Sequence, residues 1–305
     1  MVKMNGIIAI DKPEGYTSFD IIAKIRRKFG QKKIGHMGTL DPMATGVLPI
    51  LLGETAKFQV FAPDTDKRYT AEIKFGITTD TLDITGKILT ETKSYVTEEE
   101  IKKVLDNFRG EISQVPPMFS AIKKNGQKLY DLARKGVIIE REPRQINIKS
   151  LEIINFSEKN QILKIDVLCS KGTYIRSLCA DIGEKLGCGA TMTHLRRTLS
   201  NGFSESASVP LETLLDSSLE EIQEKYISPT EYLFKNEKSV EITPAQAQRF
   251  KNGGSLLLSR LSIKKPCVNN EIFKIYDNKK FIGIGKICKE SEELKFLKCL
   301  IFDAK

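Results

Sequence analysis

The sequence has 305 residues, of which 40% are hydrophobic and 29% are charged, and its formal net charge at pH 7 is +9. This composition predicts a globular protein with a substantial core, in one large domain and one small one. It contains no run of about 18 apolar residues and no signal-peptide core, so no membrane span is expected and the cytoplasm is the expected location. The positive charge favours a polyanionic partner, most commonly nucleic acid.

The six cysteines do not form any Cys-x-x-Cys pair, and the chain has only two histidines. This pattern predicts neither a zinc site nor a disulfide framework. We interpret the cysteines as small buried hydrophobic residues.

The first predicted elements are a buried strand at residues 6–10 and a helix that ends at Gly30. Thr17 or Ser18 can cap the start of this helix. Its predicted apolar face comprises Phe19, Ile22, Ile25 and Phe29.

Residues 35–49 form an unusual segment with three glycines, two prolines and a single acid, Asp41. Gly and Pro interrupt regular structure, so we predict neither a helix nor a central strand here. The apolar residues of the segment require burial, and a carboxylate among them needs a cationic partner to stay ionised. The alternative is a packed turn in which Asp41 caps the segment that follows.

A short helix is predicted at 54–60, and residues 67–76 then alternate as a half-buried strand whose buried face begins at Tyr69. Taken alone, Tyr69 is a tyrosine at the edge of the core. Turn-forming residues follow at 78–86. Within them Asp80 and Asp83 are alternative partners for a neighbouring basic residue.

A capping box at 97–100 begins a helix that Gly110 ends. A hairpin is predicted at residues 125–126, with basic residues on both sides. These basic residues suit contacts to an RNA backbone, or they only keep an exposed edge soluble. Residues 144–154 and 162–169 are predicted to form a strand pair.

Tyr174 and Arg176 lie where the second of these strands runs into a helix predicted from residue 175 to Gly187. Taken alone, Arg176 is a surface salt-bridge residue. By the same reasoning Leu195 is a core residue and His194 a structural histidine.

Residues 205–235 are predicted to be helical and acidic, and 236–239 form a polar boundary. Beyond it, Thr243 caps a helix with proline at its first position, and strands at 273–276 and 281–286 form a hairpin. These features predict one domain at residues 1–236 and a second at 237–305.

Six motifs occur in an order that resembles the TruB-type tRNA pseudouridine synthases. Met37 stands where that family usually has threonine, a departure that does not touch the acid. The motifs include Asp11-Lys12-Pro13-x-Gly15, Gly35-His36-x-Gly38-x-Leu40-Asp41-Pro42, Lys67-x-Tyr69, Asp80-Thr81-x-Asp83, Lys171-Gly172-Thr173-Tyr174-Ile175-Arg176 and His194-Leu195-x-Arg197.

The resemblance implies an α+β fold. Its catalytic domain is expected to be a mixed, largely antiparallel sheet flanked by helices, followed by a small C-terminal PUA-like, RNA-binding β-barrel. It further implies that uridine 55 in the T-loop of tRNA is isomerised to pseudouridine without a cofactor or a metal. We expect a monomer that needs no obligate protein partner.

The resemblance also implies roles for single residues. Asp41 is expected to be the nucleophile and Arg176 its cationic partner. Tyr69 is expected to stack on the flipped-out base, with its hydroxyl as a candidate for the proton transfers. Tyr174 and Leu195 are expected to line the uracil pocket, and His36 to occupy the place of the extruded nucleotides. The motif that contains Lys12 is expected to pack near the catalytic loop, where contact of Lys12 with phosphate is one alternative.

Three alternatives remain at this stage. A non-catalytic RNA-binding protein explains the charge but not a buried set of Asp, Arg and Tyr. A hydrolase using Asp41 needs a second acid that no motif supplies convincingly. A related synthase acting on another RNA with accessory proteins fits the short layout less well.

Overall fold

The computed structural model describes residues 4–93, 95–124, 126–263 and 266–300. The strands are β1 (Gly6–Lys12), β2 (Ile34–His36), β3 (Thr45–Leu52), β4 (Lys67–Phe75), β5 (Ile77–Thr79), β6 (Ile88–Glu91), β7 (Gly110–Gln114), β8 (Lys123–Lys124), β9 (Gln127–Lys128), β10 (Arg144–Ser157), β11 (Ile162–Cys169), β12 (Ala190–Ser200), β13 (Phe203–Ser204), β14 (Val209–Pro210), β15 (Lys238–Ile242), β16 (Leu256–Leu257), β17 (Ile272–Asp277), β18 (Lys280–Cys288) and β19 (Glu293–Cys299). The helices are α1 (Ser18–Phe29), α2 (Glu98–Leu105), α3 (Leu129–Ala133), α4 (Ile175–Lys185), α5 (Leu211–Asp216), α6 (Leu219–Lys225) and α7 (Pro244–Lys251).

A ten-stranded mixed sheet organises the first two thirds of the chain. Its main path runs in the order β14-β1-β3-β12-β4-β11-β10-β7, with β2 paired to β3 and β13 paired to β12. The pairs β1–β14 and β3–β12 are parallel and the other strand pairs are antiparallel. With the helices beside it, this sheet agrees with the predicted α+β class.

The central strand β4 lies between β11 and β12 and has the predicted alternation. Tyr69, Ala71, Ile73 and Phe75 are buried, whereas the intervening side chains are more accessible. The odd-numbered side chains of β4 therefore face the core, on the same side of the sheet as one another.

Helix α1 begins as predicted at Thr17, whose hydroxyl accepts the Asp20 N–H in a capping box. Its predicted apolar face is wrong at Phe19, which is 64% exposed, while Ile21 takes the buried position. Ile22, Ile25 and Phe29 of the predicted face are buried as expected, so the buried face differs from the prediction only at its N-terminal end.

The prediction of no central strand within residues 35–49 is wrong, because β3 begins at Thr45 and lies between β1 and β12. Pro49 is tolerated there because its carbonyl accepts the Met37 N–H at 2.9 Å on the side away from β1. The N and O atoms of a strand residue point to the same side, so the missing N–H of Pro49 is not needed by the β1 ladder.

Gly46 allows β3 and β12 to approach closely. Its φ is +98°, and an added Cβ would lie 2.2 Å from the carbonyl oxygen of Arg197. We expect Gly46→Ala to lower the free energy of unfolding by about 3 kcal/mol or more, measured by urea denaturation. Gly110→Ala is the matched control, since its φ of +83° is similar but nothing lies within 4 Å. We expect Gly110→Ala to lower the free energy of unfolding by about 1 kcal/mol. Equal losses in the two variants would contradict the close approach.

A second, five-stranded sheet runs in the order β15-β17-β18-β19-β16 and curls into a half-barrel. It packs against the first part of the chain through an aromatic cluster in which the ring centroids of Phe58 and Phe281 lie 6.1 Å apart. The predicted hairpin at 273–276 and 281–286 is confirmed as β17 and β18, and the helix capped by Thr243 as α7.

Two further predictions are refined. Residues 205–235 are not continuously helical, because α5, α6 and two 3-10 turns alternate with β14, which pairs with β1. The strands flanking the predicted 125–126 turn are confirmed as β8 and β9, while Asn125 lies outside the described residues.

Candidate active site

Asp41 lies in the loop between β2 and β3, and the side chain of Ser18 in α1 holds this loop. The Leu40 N–H donates to Ser18 Oγ at 2.9 Å, and the Ala44 N–H donates to the backbone oxygen of Asp41 at 3.0 Å. The interpretation of Asp41 as a cap is wrong, because backbone atoms close this turn and the carboxylate instead contacts Arg176.

Arg176 is buried, with a side chain only 6% exposed, and it binds the catalytic candidate directly. Its Nε lies 2.9 Å from Oδ2 of Asp41, and its Nη2 donates to Oδ1 at 3.3 Å. The remaining donors reach the carbonyl oxygens of Thr81 at 2.9 Å and Phe119 at 2.8 Å. Arg176 is therefore not a surface salt-bridge residue, and its side chain is fixed from several directions.

Asp83 is the acid that holds a basic residue in the 78–86 turn. Its Oδ2 lies 3.6 Å from Nη1 of Arg176, whereas Asp80 accepts the backbone N–H of Lys87. Two carboxylates thus share one guanidinium. Asp83 is 4% exposed and so is not accessible to a substrate.

Lys12 lies on the other side of the loop and is completely buried. Its ammonium donates to the carbonyl oxygens of Pro13, Tyr16 and Pro42 at 2.9, 2.6 and 3.2 Å. Burial lowers the pKa of Lys12 to about 8 against the opposing charge of Asp41. The alternative that Lys12 contacts phosphate is not supported, because its donors are used on the protein backbone.

The Asp41 side chain is 34% exposed, so a substrate can reach its carboxylate. Burial raises the pKa of Asp41 above its usual range, and the Arg176 guanidinium opposes this shift. The charge of Asp83 adds to the increase in the pKa. The site thus holds a reachable carboxylate that is more basic than one in water.

This direction predicts a pH dependence. Protonation removes the nucleophilic form, so we expect kcat/KM to fall as the pH drops through a pKa above the ordinary value of 3.8. The measurement is single-turnover kinetics between about pH 4 and 7, with circular dichroism at each pH as the control for folding. An acid limb at or below the ordinary value contradicts the raised pKa.

Tyr69 and Arg197 are direct partners across β4 and β12. Tyr69 is buried, and burial raises the pKa of its hydroxyl while the charge of Arg197 opposes the shift. Arg197 is also completely buried and donates to the carbonyl oxygens of Val47 at 2.8 Å and Gly38 at 3.0 Å. It therefore links the β4–β12 pair to the loop that carries Asp41.

Tyr174 and Leu195, the two other residues expected to line the pocket, lie on different elements. Tyr174 is the N-cap residue of α4, and its backbone is held by the Gln114 side chain at 2.8 and 3.0 Å. Burial raises the pKa of its hydroxyl, which also senses the charges of Arg176 and Asp41. Leu195 is buried on β12 and faces Ala71 across the ladder.

His36 ends β2 and lies at the entrance to the loop. Burial and the charge of Arg197 lower the pKa of His36, so the imidazole is neutral near pH 7. Its Nδ1 is buried without a hydrogen-bond partner among the described residues.

Arg197 is the site residue that sequence reasoning missed. Its position in the His194-Leu195-x-Arg197 motif was the available signal. The structure adds that strand pairing brings it beside Tyr69, and that it donates to three carbonyl oxygens of residues 38–47.

Within the described ranges, no group of three or more His, Cys, Asp or Glu side chains is arranged to hold a metal ion. None of the described helices is long and apolar enough to cross a membrane.

The mixed sheet followed by the curled C-terminal sheet is the fold of a pseudouridine synthase. The sequence model described as "TruB family pseudouridylate synthase (N terminal domain)" matches residues 26–175, and "tRNA pseudouridylate synthase B C-terminal domain" matches residues 176–235. The chain belongs to the TruB family of pseudouridylate synthases, and the predicted family and α+β fold are confirmed.

Relatives and a solved structure agree with this assignment. A "tRNA pseudouridine synthase B" of Clostridium tetani is 46% identical over 98% of this chain and 100% of its own length. The protein of the same name from Alkaliphilus oremlandii is 42% identical over 97% of this chain and 98% of its own. A chain of an H/ACA RNP bound to a substrate RNA containing 2'-deoxyuridine is 25% identical, with a TM-score of 0.70 over 96% of this chain and 83% of that one.

Proposed function

We propose that this enzyme isomerises uridine 55 in the T-loop of tRNA to pseudouridine, with Asp41 as the nucleophile. The observation that carries the proposal is the partly exposed Asp41 carboxylate, bound at 2.9 Å by the buried Arg176. The names of the relatives, which are tRNA pseudouridine synthases, support tRNA as the substrate.

The reaction breaks the C1′–N1 bond of uridine and forms a C1′–C5 bond. C5 loses a proton and N1 gains one, so the product is an isomer and no electron acceptor is consumed. Asp41 can attack C1′, attack C6 or assist formation of a glycal, and these three paths remain alternatives. Arg176 keeps the carboxylate aimed in each of them.

The target uridine must leave the folded tRNA arm before Asp41 can reach it. In our proposal Tyr69 stacks on the flipped base, and its hydroxyl is a candidate for the proton transfers. Tyr174 bounds the base, and Leu195 forms the wall of the pocket. His36 fills the place that the base leaves in the stack, for which a neutral imidazole is suited.

The β8–β9 hairpin is a candidate contact to the tRNA backbone. Lys123 and Lys124 are exposed on it, and Nζ of Lys128 lies 5.2 Å from the centre of the Tyr130 ring. Cations on an exposed hairpin suit recognition of a loop by its phosphates and shape. The alternative that these charges only protect an exposed edge remains open.

We further propose that residues 1–236 carry the chemistry and that residues 237–305 bind RNA as a PUA-like domain. The polar boundary at 236–239 and the separate sheet from β15 onward support this division. We propose a cytoplasmic monomer without an obligate protein partner, which light scattering with and without tRNA tests.

The experiment for the function is tritium release from a tRNA transcript labelled at uridine C5. We expect a single equivalent of tritium to be released, and none from a transcript with cytidine at position 55. Release without free uracil separates isomerisation from hydrolysis. Release from another position contradicts the T-loop proposal, and tRNA binding without release leaves only an RNA-binding protein.

A further inference from the structure

Lys67 is the first residue of β4 and stands two residues before Tyr69. Alternate residues of a strand face the same side and lie about 6.6 Å apart, so both side chains face the catalytic loop. This spacing is comparable with the span from a base to the phosphate of its own nucleotide.

The Lys67 ammonium lies against Gly38, three residues before Asp41. A Cβ added to Gly38 would lie 2.9 Å from Nζ of Lys67 and 3.3 Å from Nη1 of Arg197. Two cationic nitrogens therefore flank the same glycine. Burial, with the charge of Arg197, lowers the pKa of Lys67 to about 8.

No negative group neutralises this ammonium within the described ranges. Lys67 Nζ makes no hydrogen bond or ion pair there, although the side chain is half-buried. Burial raises the pKa of the neighbouring Cys169 thiol to about 11, so that thiol is neutral near pH 7. Lys171 is a further cation, and its Nζ lies 2.6 Å from Oδ2 of Asp64.

A half-buried cation beside a second cation costs stability unless an anion joins it. The nucleic-acid substrate carries such an anion at every nucleotide. We propose that Lys67 binds the phosphate group on one side of the target uridine when the base is stacked on Tyr69. The buried Arg197 strengthens the positive field behind Gly38. This inference rests on the proposed function, because it requires a uridine bound in this pocket.

The test compares three variants of the full chain on a T-arm stem–loop. Lys67→Met removes the charge, and Lys67→Arg keeps it. Lys74→Gln is the matched control, because Lys74 lies on the opposite face of β4 and donates to the Asn160 carbonyl. We expect Lys67→Met to raise Kd about tenfold and to reduce the slope of log Kd against log salt by about 0.7. The other two variants should keep the slope, and kcat at saturation should change less than about threefold in all three.

A neutral linkage identifies the phosphate. Two stem–loops carry one methylphosphonate each, on the 5′ or the 3′ side of the target uridine. With one of them, wild type and Lys67→Met should bind equally, because the partner of Lys67 is already missing. Lys67→Met combined with this methylphosphonate should then reduce the binding affinity no more than either change does alone.

Other results overturn the inference. An unchanged salt slope in Lys67→Met would contradict the phosphate contact. The contact would also be contradicted if Lys67→Met lost the same affinity, relative to the wild type, on both methylphosphonate substrates. A loss of kcat without a change in Kd makes Lys67 a group that acts on the chemistry instead. The melting temperature of Lys67→Met should not fall, since no protein contact of Nζ is lost. Tritium release by the wild type from the unmodified stem–loop is measured before any variant is compared. If the wild type releases none, the proposed function itself is contradicted.

Discussion

Asp41→Asn is expected to lower the rate of pseudouridine formation by about 10,000-fold or more while tRNA binding stays within about threefold of the wild type. The amide cannot act as a nucleophile or as a base. The loss is therefore expected whether Asp41 attacks C1′, attacks C6 or promotes a glycal. The measurement is tritium release under single-turnover conditions, with Kd from filter binding.

The same substitution should not destabilise the protein. The pKa of Asp41 is raised in the folded state, so its stabilising contribution is present at low pH and is lost as the pH rises through that pKa. Near pH 7 a neutral amide is therefore tolerated as well as the carboxylate, and we expect an equal or higher melting temperature. This combination is typical of a residue kept for function rather than stability.

Asp80→Asn is the matched control for this change. Asp80 is exposed and accepts the Lys87 N–H, and the same removal of charge there should change the rate less than about threefold. Because asparagine can revert by deamidation, Asp41→Ala is the second variant and should be equally inactive. Turnover retained in Asp41→Ala would refute the nucleophile role.

Much of the fold could be predicted because local patterns determine it. The alternation in β4 placed Tyr69 on the buried face, and the capping boxes at Thr17 and Thr97 fixed the starts of two helices. The predicted burial of Phe19 is wrong, because the burial of a residue at the edge of a helical face depends on what packs beside it. The prediction that Pro49 excludes a central strand is wrong, because a strand tolerates proline where the side that its N–H would face needs no hydrogen bond.

The site depends on contacts that periodicity does not detect. Asp41 and Arg176 are 135 residues apart in the chain, and only their motifs suggested the pair. Sequence reasoning left Asp80 and Asp83 as equal candidates, because two acids in one turn differ only in where the turn packs. The role of Arg197 required the β4–β12 register, which brings it opposite Tyr69.

Arg176→Lys should lower the rate by about 100- to 1,000-fold while tRNA affinity changes less than about threefold. A lysine retains the charge but not the planar donors that bind both oxygens of Asp41. The carboxylate then loses its fixed direction. We expect binding to be preserved because the Arg176 side chain is buried and only 6% exposed. Arg196→Lys is the matched control, since Arg196 is 31% exposed and forms its ion pairs with Asp11 and Glu205 instead of Asp41.

Arg176→Lys should also lower the free energy of unfolding by about 1–3 kcal/mol. The shorter ammonium cannot reach Asp41 and the carbonyl oxygens of Thr81 and Phe119 together, which leaves a buried acceptor unpaired. Urea denaturation measures this loss, and assays well below the midpoint keep it separate from the rate.

The pH profile of Arg176→Lys separates the two ways in which the arginine can act on Asp41. Arg176 opposes the effect of burial on the pKa of Asp41, so a weaker partner should move the acid limb of the rate to higher pH. If protonation of Asp41 caused the whole loss, the rate would return to the wild-type value on the alkaline side. Because the planar fork also aims the carboxylate, we expect a plateau that stays at least about tenfold below the wild type. A profile that superimposes on the wild type would show that the Asp41–Arg176 pair matters for neither charge nor geometry.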